Sequence, residues 1–449
     1  MATLVVAAAV DAQAQEESPT IWQAAASDDV ARLQVLIEED SEAINAGDKF
    51  GNTPLHHAAW TGAVGAMQWL IDKGAEIDLM SDQQWTPLHW ATRNGQLPSV
   101  DLLLRHGAEV NAVGHLEQTA LHLAAKNEFE KTVSRLLEAK ADPNAKDVNG
   151  QTPIHFAALD GYTVIVTELL ENGGDIEAKT DWGATPLSAA AARGRTSTVA
   201  ALLVRDAIVD PVTDAGWTPL FASVVGKFKA PTKFLRDNGA NIHVVTQAGN
   251  TLLHAAASSG MDELITELLE AGLDINAEDE GGRTPLDHAI GNLWKTTPEL
   301  LKSKGGKPGP KPTLHHAAFT GDLAAVKQLV SAGADLSQRD DWQLPPRNWT
   351  PLHYAAAGGD QAVIRHLILA GADVRAIDYS GWTPMVVALV NRHIDAANLL
   401  KRWQSLPGIV NLRYTGQMSF DVVGVADTEC EVDASTCLKK LLVDGRVKL

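Results

Sequence analysis

The chain has 449 residues, 45% of them apolar and 21% charged, and its 56 acidic against 37 basic side chains leave a net charge of −19. That composition can fill a long folded core and excludes compositional disorder, while the acidic balance argues against nucleic acid and anionic membrane surfaces as partners, since both need a surplus of Lys and Arg on one face. Away from the start, no apolar run is long enough to span a bilayer.

Residues 1–14 carry an apolar stretch from Leu4 to Val10 followed by Ala12-Gln13-Ala14, a small-residue pattern at which secretory leaders are cut. This segment reads as the remnant of a signal peptide that lacks its basic start, which implies an exported protein, periplasmic or secreted; a frayed apolar terminus is the other reading. Residues 15–47 hold a helix pair, TIWQAAASDDVARLQVLIEED, with no preceding turn and no TPLH tetrapeptide, and are expected to cap the N-terminal end.

A strict period occupies residues 48–310. Thr53, Thr86, Thr119, Thr152, Thr185, Thr218, Thr251 and Thr284 stand 33 residues apart, and most open a TPLH-like tetrapeptide that runs into alanines. Thr caps a helix start, and Pro at the next position has a fixed φ and needs no amide partner, so each tetrapeptide begins a first helix. Leu55, Leu88, Leu121, Ile154 and Leu187 then point inward beside small alanines such as Ala58-Ala59. Glycines such as Gly62 and Gly161 sit where that helix should end in a left-handed residue. Leu pairs such as Leu169-Leu170 give a second helix its buried stripe, and Gly74, Gly107 and Gly173 close it.

The phase breaks after the eighth unit, where a basic, proline-rich stretch, KSKGGKPGPKP, replaces the expected turn and reads either as a solvated linker or as a docking patch. Three further units fill residues 311–404, the first followed by the long insertion RDDWQLPPRNW. One continuous kinked array is favoured over two stacks. Residues 405–449 leave the period: NLRYTG and SFDVVGVA alternate like short strands, and ASTCLKKLLVDG suits a helix. The two cysteines, Cys430 and Cys437, lie there and would close a small disulfide loop in an exported protein; their spacing offers no zinc site.

The unit D-x-x-G-x-T-P-L-H-x-A-A, followed by an apolar helix and G-A-D-x-N-A, resembles the ankyrin repeat, most closely in residues 147–179. The resemblance implies an all-α solenoid of helix-turn-helix units with β-hairpin fingers, plus a small mixed C-terminal tail, each unit stabilised by its neighbours. It also implies that His56, His89, His122, His155, His254, His315 and His353 are structural, bonding within and between repeats, with that bond lost or altered at Ser188, Phe221, Asp287 and Val386.

Family members bind through the fingers and the ends of the first helices, the concave face, and aromatic residues concentrate there. Trp85, Trp217, Trp349 and Trp382 immediately precede the Thr-Pro positions, while Phe50, Trp60, Trp182, Trp342 and Phe319 occupy nearby finger or helix-end positions. These rings suit finger-against-finger packing, anchoring of a protein partner, or a groove for a glycan or apolar small molecule. The favoured function is a protein–protein interaction scaffold with a Trp-rich concave surface, needing no cofactor or metal. The enzymatic alternative uses the carboxylates among the rings: Asp181, Asp214 and Asp341, with Asp160 nearby, would start a polyene or terpenoid cyclisation or cleave a glycan if one were buried with a raised pKa beside indole faces. No P-loop, G-x-S-x-G or dinucleotide fingerprint is present.

Overall fold

This computed structural model describes residues 20–292, 294, 296–309, 313–339 and 348–404, together with the backbone of two strands, 409–414 and 418–422. Trp342, Asp341, Cys430 and Cys437 lie outside the described residues. The chain forms two compact units, one running to Asp214 and including Ala230–Ala240, the other comprising Ala215–Lys229 and Asn241 onward.

In the first unit α1 (Ile21–Ala26) and α2 (Val30–Glu39) form the leading pair. They are followed by α3 (Pro54–Thr61) and α4 (Val64–Asp72), α5 (Pro87–Arg93) and α6 (Leu97–Arg105), α7 (Ala120–Lys126) and α8 (Glu130–Glu138), α9 (Pro153–Asp160) and α10 (Thr163–Glu171), then α11 (Pro186–Ala192) and α12 (Thr196–Leu203). The second unit begins with α13 (Pro219–Val225); α14 (Lys229–Asp237) lies almost wholly in the first. Then come α15 (Leu252–Ser259) and α16 (Asp262–Glu270), α17 (Pro285–Gly291) and α18 (Thr297–Ser303), α19 (Leu314–Thr320) and α20 (Leu323–Ser331), α21 (Pro351–Gly358) and α22 (Gln361–Leu369), α23 (Pro384–Val390) and α24 (Ile394–Gln404). Strands β1 (Ile409–Tyr414) and β2 (Met418–Val422) pair antiparallel, where the tail's alternating segments were expected.

Local chemistry sets these boundaries. Thr53, Thr86, Thr152 and Thr350 hold extended backbone at the N-cap, with proline at the next position. Gly161 ends α9 at φ 88°, and a Cβ there would lie 2.8 Å from the Arg195 side chain, so both backbone and space call for glycine. The cores are built as the repeat pattern requires. Leu55, Leu70, Leu121, Leu136, Ile154 and Leu169 are fully buried in the first unit, and Leu314, Val326, Leu352, Leu367 and Leu400 belong to one buried cluster in the second.

The fingers are hairpins too short to form ladders. Eight of the described fingers close on their own backbone, as where Ser81 N–H donates to the Trp85 carbonyl at 2.9 Å. Adjacent fingers are stitched by single bonds, from Asp82 N–H to Phe50 O, Asp181 N–H to Asn149 O, and Asp214 N–H to Trp182 O. The residue that supplies each carbonyl stands at the finger tip.

Candidate binding face

The TPLH histidines lock neighbouring repeats together and thereby hold the face in place. His155 shows the arrangement: Nδ1 accepts from the Thr152 backbone N–H at 3.1 Å and lies 2.9 Å from the Thr152 hydroxyl, while Nε2 lies 3.1 Å from the Ala184 carbonyl of the next repeat. An N–H faces one ring nitrogen and a carbonyl faces the other, so the ring is neutral with its proton on Nε2. His56, His89, His122, His254 and His353 repeat the pattern, bonding the carbonyls of Trp85, Gln118, Gln151, Arg283 and Trp382. Thr152→Ala should cost about 1–2 kcal/mol, the usual loss of a cap, because the Thr152 N–H still orients the ring. Thermal melting checks this, and a loss several times larger would assign the orienting role to the hydroxyl.

At Asp287 the inter-repeat bond reverses polarity. The shortened finger presents the Gly309 N–H, which donates to Asp287 Oδ2 at 2.8 Å, while Thr284 donates through its N–H at 2.9 Å. Burial pushes this carboxyl upward, but the contact with His316 (Nδ1 to Oδ1, 2.6 Å) and the two N–H groups more than offset it and hold the pKa below the usual carboxylate value. At Ser188 the histidine's place is taken by a hydroxyl 3.2 Å from that of Thr185.

Residues four and seven after each capping Thr share one side of the first helix. In α3 these are His57 and Trp60, in α5 Trp90 and Arg93, and in α7 Leu123 and Lys126. The Trp60 and Trp90 rings lie 5.4 Å apart, and Trp90 meets Trp85 edge-on at 4.8 Å. The Arg93 guanidinium sits 4.7 Å from the Trp85 ring centre and Lys126 Nζ 5.6 Å from that of Phe156, while at the neighbouring finger tip Lys49 Nζ lies 4.9 Å from Phe50. Trp90, Arg93 and Lys126 were not singled out from the sequence, although the period places them in the same register as Trp60.

The expected aromatic residues divide by burial. Phe50, Trp60, Trp182 and Trp382 are between 40% and 48% exposed. Trp85 and Trp349, at 6% and 4%, are packed into their units, and the Trp349 indole donates to Asp378 Oδ2 at 2.9 Å. Trp217 is half-buried against Phe221, and Phe319 packs at the edge of the second unit's core.

Of the acids named for the enzymatic alternative, the described ones are not buried as it requires, and Asp341 lies outside the described residues. Asp181 and Asp214 are exposed at the fingers, and Asp160 is partly exposed with its carboxylate 4.0 Å from Arg195. The cleft around Asp287, Thr313, His316 and Tyr354 leaves about 10 Å³ of free space, about one water's worth and far less than a terpenoid chain or sugar ring needs. Its carboxylate is held ionised, which unsuits it to protonate an alkene.

One further constellation has the chemistry of a proton relay. Ser258 Oγ lies 3.0 Å from His288 Nδ1, and His288 Nε2 lies 2.9 Å from Asp279 Oδ2. Asp279 also accepts from Arg283 Nε at 2.8 Å and from two backbone N–H groups. The same Asp–His pair, nine residues apart, recurs at Asp48 and His57, where no serine joins among the described residues, so the pairing belongs to the repeat rather than to a nucleophile.

Among the described residues no helix is long and apolar enough to cross a membrane. A family model described as ankyrin repeats, three copies, matches residues 21–114, 110–180, 165–245, 225–308 and 314–406. A comparison with curated proteins finds no match. Capped helix pairs, stitched fingers, bridging histidines and a family match over nearly all of residues 21–406 place the chain in the ankyrin-repeat family.

Proposed function

We propose that this ankyrin-repeat protein is a scaffold that presents the aromatic face of its fingers and first helices to a protein partner. Ankyrin repeats generally serve as protein–protein interaction scaffolds, and they do so by offering a rigid surface rather than by making bonds. The observation that carries the reading is the exposure of Phe50, Trp60, Trp182 and Trp382 at finger and helix-end positions in units whose cores are already filled by Leu, Ile and Ala. Large rings left in solvent on a stable framework suit interface anchors, where aromatic side chains supply much of the binding energy.

Replacing Trp60 and Trp182 by Ala should remove capture of the partner, with a loss of about 2 kcal/mol or more of binding per anchor, while the melting temperature stays nearly unchanged. The comparison is affinity capture by wild type and variant from the same extract, read by mass spectrometry. An unchanged set of captured proteins would remove the aromatic face from recognition. The N-terminal Leu4–Val10 stretch and its Ala12-Gln13-Ala14 motif favour a bacterial, periplasmic or secreted location, for which cell fractionation is the test.

A further inference from the structure

We propose that the strip across α3, α5, α7 and α9 of the first unit docks an acidic peptide segment with an aromatic or large aliphatic anchor, its carboxylates meeting Arg93 and Lys126 and its anchor resting on Trp60. This rests on the reading of the finger-and-first-helix face as a protein-binding surface and specifies the chemistry of the partner.

The placement of exposed cations on aromatic rings in one register carries the argument. The chain has 56 carboxylate side chains for 37 Lys and Arg, so a cationic strip runs against its overall balance. Three arginines elsewhere in the first unit meet a carboxylate: Arg135 reaches Asp101 at 2.6 Å, Arg195 reaches Asp160 at 4.0 Å, and Arg205 reaches Glu171 at 3.9 Å. Arg93, Lys126 and Lys49 are all exposed and have no carboxylate within salt-bridge distance among the described residues; each lies over an aromatic ring instead. Two finger acids are engaged elsewhere. Asp48 is committed to His57 and to the Phe50 and Asn52 N–H groups, and Asp82 stands against Gly51 on the adjoining finger.

A guanidinium resting on an indole is held in place while its N–H edge stays free, which lowers the ordering cost of a bidentate carboxylate contact. Arg93 and Lys126 occupy the same register of consecutive repeats, on first helices that pack against each other. Trp60, in that register one repeat earlier, is 48% exposed. The strip thus reads as one apolar site followed by two cationic sites. Single-stranded nucleic acid also combines charge with stacking, but its affinity depends on many phosphate contacts, which three cations in a strongly acidic chain do not supply.

The test is selection of a random peptide library displayed on phage against the intact protein, with parallel selection on R93Q/K126Q and on W60A/F50A. None of these side chains closes a core, so each variant should melt with wild type. Enriched peptides are expected to carry net negative charge beside a Trp, Phe or Leu, to bind about tenfold more weakly for each cation removed, and to weaken as salt rises. Enrichment of neutral or basic peptides that bind R93Q/K126Q as tightly as wild type would overturn the acidic specificity while leaving a protein-binding face intact. Equal recovery of the library on wild type and W60A/F50A would overturn the face itself. Binding of a short single-stranded oligonucleotide that depends on Arg93 and Lys126, with no peptide enriched, would replace the peptide by a nucleic acid.

Discussion

Acidification from about pH 7 to about pH 5 should unfold the repeats, with a loss on the order of 2 kcal/mol for each of five histidines. Burial is the main cause: it holds His56, His89, His155, His254 and His353 at about 4 instead of the ordinary 6.5, and the carbonyl bonded to each Nε2 opposes it only in part. Geometry gives the same answer, since a proton on Nδ1 would face the N–H of the capping Thr. The folded pKa lies below the unfolded one, so below about 6.5 the unfolded chain binds more protons and stability falls, levelling off near 4 where the folded rings protonate too. The aspartates work in another window. Asp48, Asp279 and Asp287 are held below the usual carboxylate value, so their contributions survive until the pH drops beneath it. Melting temperature followed by circular dichroism across this range is the measurement. Replacing one of the five by Gln should reduce the pH slope by at most about a fifth, since burial lowers His122 as well, and a melting temperature that stays level from neutrality to pH 5 would remove the neutral imidazoles from the account.

Much of this fold is legible in short-range chemistry. Thr-Pro at a helix start and a left-handed glycine at its end act within one turn, so the repeat boundaries follow from the residues themselves. The bridging histidines were expected from the family resemblance, and the reversed bond at Asp287 followed from a departure visible in the tetrapeptide. The division of the tryptophans was not expected, because it depends on a second residue. Trp85 meets Trp90 edge-on at 4.8 Å and Trp349 meets Tyr354 edge-on at 5.4 Å, and each also stacks with its TPLH imidazole. With Val387 four after its Thr, Trp382 stays exposed, and with Ala222 in that place Trp217 is half-buried. WTPLHW and WTPLHY therefore encode a core tryptophan and WTPMVV a surface one. Finger-tip exposure is different in kind: the outward position of Phe50 and Trp182 comes from backbone bonds between neighbouring fingers, which no single repeat shows.

The largest single-residue effect outside the apolar core is expected at Asp279. Its side chain is fully buried, and its two oxygens accept four bonds: Gly281 and Arg283 N–H at 2.8 and 2.9 Å on Oδ1, Arg283 Nε and His288 Nε2 at 2.8 and 2.9 Å on Oδ2. Burial alone would push this carboxyl upward; the His288 bond, the Arg283 N–H and the Arg283 charge drive it well below its ordinary range. Asp279→Ala removes the carboxylate 2.8 Å from a partly buried guanidinium and strands two finger N–H groups, a combination that costs about 3–5 kcal/mol. Asp279→Asn keeps an oxygen for the finger and loses the charge, for about 1.5–3 kcal/mol. Asp48 supplies the internal comparison. It closes its own finger through the Phe50 and Asn52 N–H groups and pairs with His57 at 2.9 Å, but among the described residues no arginine joins it and 16% of its side chain is open to water. Water can stand in for what Asp48→Ala removes, which limits that loss to about 1–2 kcal/mol. Urea unfolding of the three variants separates the contributions: the excess of Asp279→Ala over Asp48→Ala belongs to the buried charge pair, and equal losses would leave finger closure as the whole of the effect.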